Sequence, residues 1–431
     1  MKKVYLIVTT LLLLCACGED IETEEERLVY DPYDAKIEGI CYLLSADTHT
    51  ATVTAGDVYY RGDVVIPETV QYGGTTYQVT SIAPKAFFDC QNLRSVKMPN
   101  SITNIGESAF LECINLETIN LPDGLVTIPS RMCRGCYALK SADLPSTITS
   151  IGYEAFSNCT SLTSMTIPDG VEDIGVSAFF CCSSLTSIQL PSSVKSLGWQ
   201  AFTGCTALTT VSLSEGLTRI PAECFAHCSR LAEVDIPEGV VYLSEHCFTN
   251  CVSLTRITLP QSLKSLDRGV FEYCTGLTSM TIPQGVSQVG ALLFSECSHL
   301  TSIEWHPQTI PEGTFKNCKA LAEYVVPEGV THIYANAFDG CSSLAVLSLP
   351  TSLQTIAPGA FKDCSALREV VGYGATPPEL PFPTGTVADA RLVFEDVDLS
   401  KVTLRVPAVA LSAWQQSPLW SRFGSIVTFN F

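Results

Sequence analysis

Along most of this chain one pattern of apolar and polar positions returns every 23 residues. From Cys182 it runs Cys-x-x-Leu185-x-x-Ile188-x-Leu190-Pro191-x-x-Val194-x-x-Leu197-Gly198-x-x-Ala201-Phe202-x-x-Cys205. The cysteine recurs at Cys90, Cys113, Cys136 and Cys159 on one side and at Cys228, Cys251, Cys274 and Cys297 on the other. One step then shortens to 21 residues, reaching Cys318, before Cys341 and Cys364 restore the period of 23. Thirteen copies with one change of step mark a solenoid, whose units pack only on their neighbours. Leucine stands three residues after every such cysteine, from Leu93 to Leu367, and phenylalanine three before it in twelve of the thirteen, from Phe87 to Phe361. Both columns are predicted core.

Within a copy, Ile188 and Leu190 face one way and Ser187 and Gln189 the other, the period of two that belongs to a strand. Proline follows, as at Pro191, and its missing N–H stops the ladder. After a turn comes a short extended Val-x-x-Ile, then Ala-Phe in a few residues of helix or 3₁₀. The site between them is glycine at Gly106, Gly152, Gly175, Gly198 and Gly290 but proline at Pro129, Pro221 and Pro311. Proline cannot take a positive φ, so crowding rather than a left-handed backbone accounts for the glycines. The expected fold is a β-rich α/β repeat: one parallel strand per turn, with short extended and helical pieces on the other side.

The ends break the pattern. Residues 1–16 carry Lys2 and Lys3 and then an apolar run from Val4 to Leu14, too short to span a bilayer as a helix and fitting a signal peptide. Residues 17–34 open with Gly18-Glu19-Asp20-Ile21-Glu22-Thr23-Glu24-Glu25-Glu26, a run whose like charges cannot build a core, and read as a tether. Residues 35–85 form a β cap, with a hairpin across Gly73-Gly74. The solenoid follows over 86–372. A C-terminal cap over 373–431 has a strand at Val402 to Pro407, a short helix from Ala408, and the apolar residues Trp414, Trp420, Phe423 and Ile426.

Charge and cysteine content narrow the picture further. The formal charge is −19, and removal of Lys2 and Lys3 with the leader takes it to −21. Nucleic acid and anionic lipid are poor partners for such a surface. The chain has 20 cysteines, but register cysteines in successive turns point the same way, about 5 Å apart, a poor orientation for a disulfide. A column of buried thiols is expected instead.

Three resemblances add to this reading. The join Leu14-Cys15-Ala16-Cys17 resembles a bacterial lipobox, which implies lipidation at Cys17, with Cys15 as the alternative. The acidic run directly after it resembles the surface-export signal of some Gram-negative outer-membrane lipoproteins, which implies an outer-membrane, lipid-anchored protein facing the exterior. The motif Cys-x-x-Leu-x-x-Ile-x-Leu-Pro-x-x-Val-x-x-Ile-Gly-x-x-Ala-Phe is similar to the BspA-like, or treponemal-type, leucine-rich repeats, over residues 35–431. That likeness implies a curved solenoid on bacterial surface lipoproteins, several of which attach to host matrix proteins or to other cells, and no catalytic residues. The departures are local: Cys133 replaces phenylalanine, Ser214 and His306 replace the strand-ending proline, and the 21-residue copy carries Trp305 at a core position.

No constellation for catalysis stands out, and no cofactor is expected. Cys133-Arg134-Gly135-Cys136 has redox or zinc spacing, but its cysteines occupy core positions. Carboxylates in the turns after proline, at Asp123, Asp169 and Glu215, fall on alternate copies, which opposes a calcium site. Cys181 aligns with Asp89, Asn158 and Asn250 and is the candidate exposed thiol. The candidate binding face is the pair of outward strand rows running from Ser95 to Glu369 and from Lys97 to Val371. Its centre is Ser141, Ser164, Thr166, Ser187, Gln189, Thr210 and Ser212. Neither row contains an aromatic residue, so a protein partner is expected, and a glycan is disfavoured because sugar binding usually exploits aromatic stacking. The sequence predicts an adhesin-like surface binding protein, with a structural coat or a glycan-handling accessory as the alternatives.

Overall fold

The computed structural model describes residues 33–380 and 392–430. The leader, Cys15, the lipidation candidate Cys17 and most of the tether lie outside them. The described residues stack as a β-rich solenoid whose turns are joined by three parallel tracks of hydrogen bonds.

The first track is the strand predicted from alternation. Ser187–Gln189 pairs with Thr210–Ser212 in parallel register, Ser187 opposite Thr210 and Gln189 opposite Ser212. Ile188 is buried between the exposed Ser187 and Gln189, as a period of two requires. The track is not continuous. It runs through Gly62–Val65, Leu93–Lys97, Thr118–Asn120 and Ser141–Asp143, and resumes at Ser187–Gln189 for four strands. Ser279–Thr281 pairs only with Ser302–Glu304, and a last run begins at Glu323–Val325. The expectation of one strand in every turn therefore needs correcting at residues 163–167. Met165 and Ile167 there are buried on schedule, but beyond Thr163, whose N–H donates to Lys140 and whose carbonyl accepts from Thr186, the segment forms no ladder with either neighbouring strand. Side-chain burial keeps the period where the ladder lapses.

The second track is the Val-x-x-Ile piece, reduced to two-residue parallel strands such as Ser150–Ile151, Asp173–Ile174 and Ser196–Leu197. At Gly198 the turns approach so closely that a Cβ would stand 2.2 Å from the Val176 nitrogen, and the residue has no positive φ. Crowding is thus the reason for glycine there.

The third track carries Ala-Phe and is a string of turns rather than a helix. Alternate amides divide the work. Ala155, Ser157 and Cys159 donate three residues back, to Gly152, Glu154 and Phe156, which is the 3₁₀ spacing. Glu154, Phe156 and Asn158 donate instead to the next turn, to the carbonyls of Val176, Ala178 and Phe180. Aiming every second amide sideways demands left-handed residues four apart, and they occur in each turn, as Glu154 and Asn158, Ser177 and Cys181, or Gln200 and Gly204. A helix has no such residues.

Inside the tracks runs a column of rings. Phe156, Phe179, Phe202, Phe225 and Phe248 stack with centroids 5.3–5.6 Å apart and planes within 8° of parallel. The column is broken at Cys133, where Met132 takes the usual alanine position and both side chains are fully buried. Trp305 fills the shortened copy, edge-on to Phe315 at 5.6 Å.

Each register thiol from Cys113 onward donates to the carbonyl of a residue in the preceding turn, Cys182 to Phe156 at 3.1 Å and Cys205 to Phe179 at 3.3 Å. No disulfide joins the cysteines of the described residues. The register cysteine is therefore more than a small apolar filler: its S–H reaches a carbonyl inside the core, where a leftover acceptor would be costly.

Both ends are closed by atypical strands. At the N-terminus Thr69–Tyr72 and Thr75–Ile82 form the hairpin across Gly73 and Gly74, whose φ values of 57° and 83° are those of a type I′ turn. Ala35–Ile37, Ile40–Ser45 and Thr50–Thr54 form an antiparallel meander that joins it through parallel pairing of Thr50–Thr54 with Thr75–Ile82. At the C-terminus Thr403–Pro407 and Ser425–Phe429 prolong the first track in parallel. Leu411–Gln416 is a short helix, and Trp414 and Trp420 are buried edge-to-face. No helix among the described residues is long and apolar enough to cross a membrane.

Candidate binding surface

The strands of the first track place the candidate residues. Ser141, Ser187, Gln189, Thr210 and Ser212 are exposed on ladder strands, and Ser164 and Thr166 are exposed on the segment that the ladder skips. All seven share one face. Towards the C-terminal end the rows close over, with Ser348 and Val371 buried at the strands next to the cap.

Two features of this face follow from backbone pairing. Thr210–Ser212 and Glu233–Asp235 share a single register pair, Thr210 with Glu233, and a groove of about 400 Å³ opens there, lined by Thr210, Ser212, Glu215, Glu233 and Asp235. A second, of about 690 Å³, lies where Arg256–Thr258 and Ser279–Thr281 fail to pair, lined by Arg256, Thr258, Ser279, Thr281 and Glu304. The one sequence signal for the first is Ser214, which replaces the strand-ending proline beside it. Its buried hydroxyl donates to the Val194 carbonyl at 2.7 Å and accepts from the Gly216 amide.

Between the grooves Arg256 bridges Glu233 at 2.8 Å and Asp235 at 2.9 Å. Thr258 also donates to Asp235 at 2.6 Å, and this bond together with Arg256 holds the Asp235 carboxyl below its usual range. These carboxylates already have partners. Among the described residues no group of three or more His, Cys, Asp or Glu side chains is placed to hold a metal ion.

The face carries no aromatic side chain, but the opposite side does. Tyr153 and Trp199, 40% and 49% exposed, stand two turns apart on the turn leading into the Ala-Phe track. The same position holds Ser130, Val176, Ala222 and Glu245 in other copies, so no column pattern marks it in the sequence.

Cys181 is half-buried rather than fully exposed. It occupies a left-handed position at φ 54°, and the next turn approaches so closely that a Cβ on Gly204 would come within 2.9 Å of its Sγ. Cys133, Cys136, Cys224 and Cys247 are fully buried. With a bulky maleimide in native buffer, Cys181 is expected to label first and the register cysteines only on unfolding. Mass mapping of modified peptides checks this, and early labelling at Cys182 or Cys205 would contradict it.

The turn-by-turn geometry agrees with the comparison to known proteins. The model of the BspA-type leucine-rich-repeat region matches residues 74–160, 126–255 and 241–368, which together span most of the solenoid. The chain belongs to this family. Among solved structures, this BspA-type protein is similar to a leucine-rich-repeat protein from Bacteroides ovatus, at 26% identity and a TM-score of 0.62, over 87% of this chain and 100% of that one. It also shares its fold with a leucine-rich cell surface protein from Faecalibacterium prausnitzii, at 24% identity and a TM-score of 0.53, over 85% and 99% of the two chains. No curated protein matches it significantly. The BspA-type family is consistent with a protein-binding role, and its repeats are typically non-enzymatic.

Proposed function

We propose that this protein is a non-enzymatic, adhesin-like lipoprotein of the outer membrane that engages host matrix or neighbouring-cell surface proteins through its strand face. The observation that carries the reading is the pair of exposed polar rows on a rigid solenoid of a fold that generally mediates protein–protein contact. Thirteen turns at about 4.8 Å give a face on the order of 60 Å long, enough for an interface of roughly 800 Å² per partner. The side chains from Ser141 to Ser212 are short, mostly uncharged hydrogen-bonding groups, which suit modest affinity multiplied by many copies on one cell.

The test is a triple substitution, Thr166→Lys, Gln189→Lys and Ser212→Lys. All three side chains point away from the core, so the solenoid should fold while attachment to immobilised matrix proteins weakens about tenfold or more. Equal binding by the folded triple variant places the contact elsewhere. If the parent binds no host protein and self-associates instead, the structural-coat reading takes its place.

The anchor is tested separately. Cys17→Ala is expected to move the protein from the membrane fraction to the soluble fraction, because an acylated cysteine would be the main membrane-seeking group after cleavage. Intact lipid labelling in that variant would shift the site to Cys15.

A further inference from the structure

Two of the exposed aromatic residues, Tyr153 and Trp199, lie in a row set by the third track. Arg131, Glu154, Ser177 and Gln200 each donate a backbone N–H to the carbonyl one turn ahead, of Tyr153, Val176, Trp199 and Ala222 respectively. Those four acceptors are therefore equivalent positions on successive turns, in file along the solenoid axis. Turns spaced at about 4.8 Å put Tyr153 and Trp199 about 10 Å apart. Val176, half-buried between them, leaves both rings accessible, and Ala222 leaves room beyond Trp199. The row is rigid, since its backbone is bonded to both neighbouring turns.

The strip is one residue wide. On one side run Glu154, Ser177 and Gln200, and on the other Ser150, Asp173 and Ser196. Ser177 Oγ reaches Gln200 Oε1 at 3.4 Å and Gln200 Nε2 donates to Glu223 at 2.9 Å. Arg131 is neutralised by Glu154 at 2.9 Å while its guanidinium lies 5.1 Å over the Tyr153 ring. A globular partner would bury a rounded cluster of anchors inside a sealed rim. A narrow apolar line between two hydrogen-bonding borders fits a linear polymer whose units offer a flat apolar face and hydroxyl edges. In a β-1,4-linked chain alternate sugars turn the same face outward, about as far apart as these two rings. A charge of −19 disfavours uronic-acid or sulfated chains.

We propose that the row Tyr153, Val176 and Trp199 is a binding platform for a neutral β-1,4-linked glycan, on the opposite side from the strand face and independent of it. Tyr153 and Trp199 stack on alternate sugars, and Gln200 and Ser196 meet the hydroxyls, while the buried Ser177 holds Gln200 in place.

Of the four tryptophans, Trp305, Trp414 and Trp420 are at most 2% exposed, so Trp199 reports on the site by itself. The experiment is acrylamide quenching of tryptophan fluorescence in the full-length protein, with cellohexaose, xylohexaose and, as the anionic control, oligogalacturonate. Shielding of Trp199 by one of the neutral sugars and not by the control is expected. In calorimetry Trp199→Ala and Tyr153→Ala should each weaken binding about tenfold. Trp199→Phe should retain most of it, and the strand-face triple variant should bind as the parent does. These are surface substitutions, and circular dichroism confirms that each variant folds. No shielding by either neutral hexasaccharide, or unchanged affinity in the Tyr153→Ala, Trp199→Ala double variant, overturns the proposal. So does shielding by a purified basic protein in place of the sugars, which would make the row a protein contact.

Discussion

In reducing buffer the protein should lose stability steeply as the pH rises above about 8.5. The twelve register thiols from Cys113 to Cys364 are buried donors to backbone carbonyls. Burial pushes the Cys364 thiol up to about 12 and raises the others well above their ordinary value. In the unfolded chain a thiol ionises near 8.5. Below that pH both states hold their protons and the fold loses nothing. Above it the unfolded state alone releases them, so each thiol subtracts about 1.4 kcal/mol per pH unit until its folded pKa is reached. Twelve together subtract up to ~16 kcal/mol per unit, a large share of the stability expected of a long chain at about 0.05–0.15 kcal/mol per residue. A thiolate also cannot donate to the carbonyl it faces. Urea midpoints measured from pH 7 to 10 should fall steeply above 8.5, and each Cys→Ser replacement at a register position should soften the fall. A midpoint that stays level to pH 10 would show that the column is not a set of neutral buried donors.

Phe202→Ala should be the most damaging single substitution near the middle of the array. The ring is fully buried and stacks on Phe179 at 5.3 Å and on Phe225 at 5.4 Å. Removing such a ring costs about 3–5 kcal/mol from lost burial and the cavity left behind, and the two stacks add about 0.5–1.5 kcal/mol each. Leu208→Ala, which deletes an equally buried but smaller side chain, should cost about 2–5 kcal/mol. Each turn leans only on its neighbours, so the loss should stay local. Hydrogen exchange should quicken first between Cys182 and Cys228 while the capped ends keep their protection. Urea unfolding gives the size of the effect and exchange gives its place. Uniform quickening along the whole chain would contradict a nearest-neighbour stack.

The fold was legible in the sequence because its core is written as columns: Leu93 to Leu367 and Phe87 to Phe361 repeat the same burial thirteen and twelve times. The outward placement of Ser187, Gln189 and Thr210 followed from alternation alone. What stayed hidden depends on the backbone. Met165 and Ile167 keep the apolar rhythm although their segment has left the ladder, because burial is decided by side chains and pairing by amides. The left-handed residues of the third track are as varied as Glu154, Ser177 and Gln200, so no residue type announces them. The grooves arise from lapses in pairing for the same reason. Tyr153 and Trp199 carry no periodic signal, because their position is aromatic in only two copies and small, aliphatic or charged in others.

The bonds between turns join residues about one repeat apart, as Phe156 to Ala178 and Cys182 to Phe156 do. Such a molecule can grow or shrink only in whole quanta. Duplicating a unit of 23 residues renews every bond at once and lengthens the structure by about 4.8 Å, whereas the two residues missing before Cys318 needed an indole to make good the packing. Unequal recombination within the gene could thus act as a ratchet on reach, setting how far the molecule projects while each surviving turn keeps its own surface.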